Sequence, residues 1–176
     1  ISNVIDPDRP QDSPKICKVV ENILSGAYRG PHVVFSHYLD RGVDAVESLL
    51  VQRAKKAGKP LKIARVTGVV EGRERDTIVS NYNDGKTDVL FITDAAREGV
   101  DLHGTGTMHV LEVAQNLHGE GQTMGRVARF GSHSHLPDAE QSVMFIKYHS
   151  TFPSVDAMRK QRAELERYFN ETYNLE

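Results

Sequence analysis

Only one cysteine, Cys17, occurs in the 176 residues, so no disulfide can close within the chain and no thiolate set exists to hold a metal. No apolar run approaches the ~20 residues that a bilayer-spanning helix needs, and no basic-then-apolar leader follows Ile1. Both absences fit an intracellular protein. An excess of one charge is missing too, with 22 Lys and Arg against 24 Asp and Glu for a formal net charge of -2. A polyanionic partner would therefore have to be held by local patches. There is no internal repeat, no low-complexity segment, and no nucleophile–base pair or carboxylate dyad spaced for a self-contained enzyme. A phosphate-cradling Gly-x-x-x-x-Gly-Lys-Ser/Thr loop is also lacking, because Gly104-Thr105-Gly106-Thr107 has neither the lysine nor the spacing. What the chain does have, 39% hydrophobic and 26% charged residues, suits one folded domain with a continuous core.

Asp6-Pro7-Asp8-Arg9-Pro10 is loop chemistry, since proline removes a donor and restricts its neighbour. Ser13-Pro14 reads as an N-cap with proline at the first helical position. Ile16, Val19, Val20, Ile23 and Leu24 then follow at helical spacing up to Ser25-Gly26. Beyond that point strands and helices alternate. The pattern predicts strands over 32–36, 61–66, 88–93, 108–113 and 142–148. It predicts helices on the Val43, Val46, Leu49, Leu50, Ala54 stripe, over 71–82, over 119–128, and from Ser154 through Val155, Met158, Arg162, Leu165 and Phe169. Strands joined by such helices imply right-handed crossovers. The expected fold is α/β, a three-layer sandwich with a mainly parallel sheet of about six strands flanked by helices. Its loops beyond the carboxyl ends of the strands, at Ser36-His37, Thr67-Gly68, Thr93-Asp94 and after Val113, are where chemistry is expected.

Two constellations stand out. Gln122-Thr123-Met124-Gly125-Arg126-Val127-Ala128-Arg129 puts two arginines three apart on one helical face, with Gly125 allowing close backbone approach. Such guanidiniums can stabilise the charge that develops during phosphoryl transfer, or can simply be a solvated pair on a helix surface. Phe91-Ile92-Thr93-Asp94-Ala95-Ala96-Arg97-Glu98-Gly99-Val100-Asp101-Leu102 delivers a hydroxyl and a carboxylate from a buried strand, then turns at Gly99 to expose Asp101. A hydroxyl and free amides suit a phosphate, and a carboxylate suits a ribose hydroxyl or an arginine. The plain alternative is a strand end with an Asx turn.

In this order the two segments resemble the last motifs of the superfamily 2 helicase core, Thr-Asp-x-x-x-x-Gly-x-Asp being similar to motif V and Gln-x-x-Gly-Arg-x-x-Arg to motif VI. Residues 32–38 resemble motif IV, with the helix at Ser13-Pro14-Lys15 before it. Val66-Thr67-Gly68, Arg75 and Asn83-Asp84-Gly85-Lys86 resemble the approach to motif V. The resemblance covers about residues 13 to 148. The continuation Phe130-Gly131-Ser132-His133-Ser134-His135-Leu136-Pro137 resembles helicase-type nucleoside triphosphatases of large DNA viruses, near the Swi/Snf-type translocases.

The resemblance implies a RecA-like helicase C-terminal lobe over residues 13–150, after a loop or linker over 1–12 and before a helix over 151–176. It implies that Arg126 and Arg129 are arginine fingers, that Gln122 contacts the γ-phosphate or the attacking water, and that Gly99, Asp101 and Gly125 line the nucleotide side of a cleft. Ser36, His37, Thr67, Gly68 and Thr93 would touch the backbone of DNA or RNA. ATP with Mg2+ would be bound mainly by an N-terminal RecA-like lobe of the same polypeptide. This chain lacks the phosphate loop and the acidic magnesium box, so alone it should not hydrolyse ATP. A monomer without membrane association is expected, in cytoplasm, virion or viral factory if the viral likeness holds, with the nucleus also open. Glu98 stands where many relatives carry arginine, so neither it nor Arg97 is given a role. A reading of another class is a non-catalytic docking module in a transcription or replication assembly, against which Gln122, Arg126 and Arg129 together argue.

Other signals are weaker. Six cations and no acid lie between Arg53 and Arg65. They read as a phosphate-tracking patch or as a cationic helix end favoured by the macrodipole. His133 and His135 invite a metal hypothesis but lack the four-ligand spacing of a structural site, and no metal is expected. Tyr168, Phe169 and Tyr173 form a stripe expected to pack on the core or to dock another domain.

Overall fold

Ser13 caps the first helix as its position predicts, its hydroxyl accepting from Ile16 N–H at 3.3 Å, and Pro14 opens α1 (Pro14–Leu24). In this computed structural model the described residues are 9–70, 72–94, 100–112 and 131–150, with Gly125, Arg129 and Ala163. The helices predicted over 119–128 and from Ser154 fall almost wholly outside them, as does the aromatic stripe of the C-terminal segment.

Among the described residues the main elements are, in chain order, α1, β1 (His32–Phe35), α2 (Ala45–Lys56), β2 (Ile63–Val66), α3 (Gly72–Asn83), β3 (Val89–Ile92), β4 (Thr107–Val110) and β5 (Met144–Lys147). All pairings are parallel and the strand order is β2-β3-β1-β4-β5. The sheet has five strands among the described residues rather than the six expected. Each strand corresponds to one of the five apolar runs in the sequence, and the sixth had rested on typical sheet size alone. The three central strands are buried throughout, as parallel strands covered on both faces must be.

Side chains alternate across the sheet into two cores. Val34, Val89, Phe91 and Leu111 meet Ile16, Val19 and Val20 of α1 and Val46, Leu49 and Leu50 of α2. On the other face Val33, Leu90, Ile92, Met108 and Val110 pack with Tyr82 of α3 and with Val100 and Leu102. Each such side chain removed from water contributes roughly 1.5–3 kcal/mol, so these layers hold the strand ends in place.

Two glycines are fixed by space. A Cβ on Gly42, in the wide helical turn Leu39–Asp44, would lie 1.9 Å from Ser36 Oγ. This turn therefore closes directly over the end of β1. A Cβ on Gly106 would lie 2.2 Å from the Arg29 carbonyl oxygen, while Gly106 N–H donates to Pro31 O at 2.9 Å. The obstruction is the Arg29–Gly30 backbone, which cannot rotate away. Gly106→Ala is therefore expected to destabilise the lobe by at least ~2 kcal/mol, measured as a lower urea midpoint. A change under ~0.5 kcal/mol, the range of ordinary surface substitutions, would contradict this packing.

Inside the α1-side core runs a polar chain. Asn22 Nδ2–H donates to Tyr148 OH at 2.8 Å, Tyr148 OH lies 2.8 Å from His109 Nδ1, and His109 Nε2 lies 3.1 Å from His32 Nδ1. One direction satisfies every member: Tyr148 donates to His109, which donates from Nε2 to His32. Burial pushes Tyr148 up to about 12, which keeps its proton available as donor.

Candidate functional site at the strand ends

Because every pairing is parallel, the loops that leave the five strands emerge along one edge of the sheet. There β1 delivers Ser36 and His37, β2 delivers Thr67 and Gly68, and β3 delivers Thr93 and Asp94. The predicted edge residues are thus brought together by topology. Ser36, Thr67 and Thr93 are buried, their hydroxyls part of the edge rather than projecting from it, whereas Gly68 is exposed and Val69 is 86% exposed.

The ends of the central strands are tied to one another. His37 Nδ1–H donates to Asp94 Oδ2, which links β1 to β3. Glu112 links β1 to β4: its carboxylate lies 2.9 Å from Ser36 Oγ and accepts from His37 N–H at 2.9 Å. Lys15 reaches over from α1 and donates to Leu111 O at 2.8 Å. Burial lowers the Lys15 pKa, and the negative charge of Glu112 opposes that fall. Phe35 sets its ring edge against His37 at a centroid distance of 5.0 Å, limiting the imidazole's swing.

Sequence reading missed Glu112 because it drew the fourth strand through Val113. The strand ends at Val110; Leu111 N–H still donates to Phe35 O at 3.1 Å, and the chain then turns. The available signal was a lone acid directly after a run of buried apolar residues.

A second group forms where residues 101–103 lie against the end of α3 ahead of β4. Arg129 Nη1 donates to Asp101 Oδ2 at 2.6 Å, so a predicted finger and the predicted cleft carboxylate meet. Both side chains are at least half exposed. The loop beneath them is clamped by Asn83, whose Nδ2–H donates to Asp101 O at 3.1 Å and whose Oδ1 accepts from His103 N–H at 2.8 Å. Asn83 entered the sequence reading only as part of the Asn83-Asp84-Gly85-Lys86 stretch that resembles the approach to motif V, with no role of its own. Gly125 is exposed, with no described atom within 4 Å of a Cβ built there. Gln122, Arg126 and Gly99 lie outside the described residues, as do Arg97 and Glu98.

Of the weaker signals, the two histidines and the basic stretch fall among the described residues. His133 is buried, its Nε2–H donating to Thr105 O at 2.9 Å while Nδ1 accepts from Ser132 at 2.7 Å. His135 lies against Gly104. Among the described residues no group of three or more His, Cys, Asp or Glu could hold a metal ion, and no helix is long and apolar enough to cross a membrane. Of the basic stretch, Arg65 pairs with Asp44 at 3.2 Å and Glu47 at 2.5 Å, Arg53 bonds Cys17 Sγ, and Lys59 donates to Leu24 O. Arg53, Lys55 and Lys56 occupy the last turn of α2, as the helix dipole favours. Half of the stretch is thus a cationic helix end, and Arg53, Lys59 and Arg65 are engaged by the protein itself.

Several likenesses bear on this geometry. Residues 15–131 match the family described as helicase conserved C-terminal domain. A putative ATP-dependent RNA helicase of Acanthamoeba polyphaga mimivirus is 36% identical over 142 residues, covering 81% of this chain and 30% of that protein. A termination factor NPH-I homolog of African swine fever virus is 24% identical over 182 residues, covering 77% and 26%. This chain therefore spans less than a third of the length of these relatives. Among solved structures, the C-terminal domain of the DEAD-box protein Dbp5 superposes with a TM-score of 0.55 at 17% identity, covering 89% of this chain and 79% of that one. The C-terminal part of the Fun30 ATPase domain gives 0.55 at 15% identity, covering 90% and 46%. The five-stranded parallel sheet is thus a RecA-like fold.

Proposed function

Because this chain belongs to the family of helicase conserved C-terminal domains, we propose that in the intact protein it closes on an N-terminal RecA-like lobe that binds ATP, and that closure drives movement on DNA or RNA. The observation that carries this reading is the meeting of Arg129 with Asp101 at 2.6 Å, across 28 residues of sequence, on an exposed flank of the lobe. A solvated pair of this kind is worth only ~0–1 kcal/mol. Stability does not account for placing it there, and a triphosphate arriving from the facing lobe can draw the guanidinium away from its carboxylate. Arg126 and Arg129 then stabilise the charge that builds on the transferring phosphoryl group. Gln122 orients the attacking water or contacts the γ-phosphate, and Gly99, Asp101 and Gly125 line this side of the cleft. The open space over Gly125 suits an approach from outside the lobe. Magnesium comes with the nucleotide, and its protein ligands belong to the other lobe.

On the strand-end edge, nucleic acid runs past the loops at Ser36-His37, Thr67-Gly68 and Thr93. Ser36, Thr67 and Thr93 are buried, so the contacts there fall mainly to backbone amides, to His37 and to Gly68, which suits sugar and phosphate rather than base reading. The cross-ties through Glu112 and Asp94 join the Ser36-His37 loop to the end of β3 and to the segment after β4, so that this part of the grip shifts as a body when the cleft opens and closes.

The test on the chain alone has two parts. It is expected to show no ATP turnover above blank. It is also expected to bind single-stranded oligonucleotides weakly, with an affinity that falls by a log–log slope of ~0.7 per phosphate contacted as salt rises. Robust turnover would defeat the half-site reading, and tight, salt-insensitive binding would defeat the backbone grip.

A further inference from the structure

We propose that Asn83 is a positioning residue for the finger, fixing the direction of the Asp101 carboxylate and through it the resting place of Arg129; the proposal rests on the helicase reading above. Asn83 is the last residue of α3, and both ends of its side-chain amide are used. One donates to Asp101 O at 3.1 Å and the other accepts from His103 N–H at 2.8 Å, so the amide spans the backbone on either side of Leu102. Leu102 itself is 1% exposed and sits in the core. The three-residue segment is thus held from the core by Leu102 and from α3 by two hydrogen bonds, which leaves Asp101 little freedom except in its own side-chain rotations.

A helix-stop role does not account for these bonds. The end of α3 is closed by backbone alone, with Asp84 N–H on Ser80 O, Gly85 N–H on Tyr82 O and Lys86 N–H on Asn81 O, and Gly85 takes the left-handed φ of 70° that ends such a helix. Nor is Asn83 needed to anchor α3 to the loop. Tyr82 already does so from the buried side, its hydroxyl 2.7 Å from Thr105 Oγ1. What Asn83 adds is the orientation of Asp101. Arginine carries large rotamer entropy, and a partner carboxylate in a fixed place narrows what the guanidinium must search before it meets a phosphate. The pair is solvated and weak enough to part at that moment.

The experiment compares ATP turnover of the intact protein, stimulated by a single-stranded oligonucleotide, in wild type, Asn83→Ala, Asp101→Ala, Arg129→Ala and the Asn83→Ala/Asp101→Ala double variant. Asn83→Ala is expected to lower kcat about tenfold while leaving the KM for ATP and the half-saturating oligonucleotide within about twofold. The double variant is expected to turn over no more slowly than Asp101→Ala, because Asn83 acts only through Asp101. If Asn83→Ala unfolds the protein, Asn83→Asp, which retains the acceptor for His103 N–H but loses the donor to Asp101 O, is held to the same criteria. Unchanged kcat, or losses that multiply in the double variant, overturn the role of Asn83 while leaving the helicase reading intact. Undiminished turnover in Arg129→Ala, or none in wild type, removes that reading and this role together.

Discussion

Alanine at Arg126 or at Arg129 in the intact protein is expected to reduce nucleic-acid-stimulated ATP turnover by ~10³-fold, with ATP affinity nearly unchanged. An arginine finger of this type commonly supplies that much, about 4 kcal/mol of transition-state stabilisation. The split between turnover and binding follows from where the charge is needed. On the proposed function the ground-state triphosphate would be held by the facing lobe, whereas the guanidiniums would act on charge that spreads as the phosphoryl group leaves. Arg129→Lys is expected to rescue little, since an ammonium cannot reproduce the planar fork. Steady-state kinetics beside direct nucleotide binding measure both quantities. Turnover within about threefold of wild type in both alanine variants would shift weight to a docking module without chemistry.

Acidification from pH 7 to pH 5 is expected to lower the stability of the lobe by several kcal/mol, well before most carboxylates are protonated. Burial depresses His32 to about 4, against the raising influence of Asp88. Burial and then the neighbouring His32 depress His109 to about 3. An unfolded histidine titrates near 6.5, so both groups bind protons more weakly in the folded state. Stability is therefore full above about pH 6.5 and falls as pH drops toward the folded values, by about 1.4 kcal/mol per pH unit for each histidine. A proton on either ring would also put an N–H where the chain from Tyr148 needs an acceptor. Urea midpoints at pH 7.5, 6 and 5 measure the slope, and His109→Gln is expected to flatten it by roughly half. A wild-type midpoint constant over that range would show that the two rings reach water more readily than their burial implies.

The fold was legible where periodicity and burial coincide. The continuous apolar runs of β1 and β3 need a sheet covered on both faces. The stripe from Val43 to Ala54 needs one neighbour, and all five of its residues are buried. The edge loops followed from parallel topology, and the family from four short segments in order. Other features depend on distances that a one-dimensional pattern does not carry. The position of Glu112 required knowing that β4 stops at Val110 instead of Val113. Asn83 bonds a segment 18 to 20 residues away, through an amide whose sequence context is a common turn. His32 and His109 were indistinguishable in sequence from the exposed histidines, because only the register of β1 beside β4 brings their rings together.

The strand order also bears on how the chain acquires its shape during synthesis. The middle strand, β1, is made first of the five, and its flanking positions are filled by β3 and β4, which begin at residues 89 and 107. Until then β1, with its three apolar residues Val33, Val34 and Phe35, presents two unsatisfied sides, a template for pairing with other chains. The helices α1 and α2 are nearest in sequence and can shelter one face early, with Ile16, Val19, Leu49 and Leu50 already available to Val34. The strand order therefore predicts that β1 is sheltered first by the helical pair on one face, and that its exposure ends only once β4 has been made.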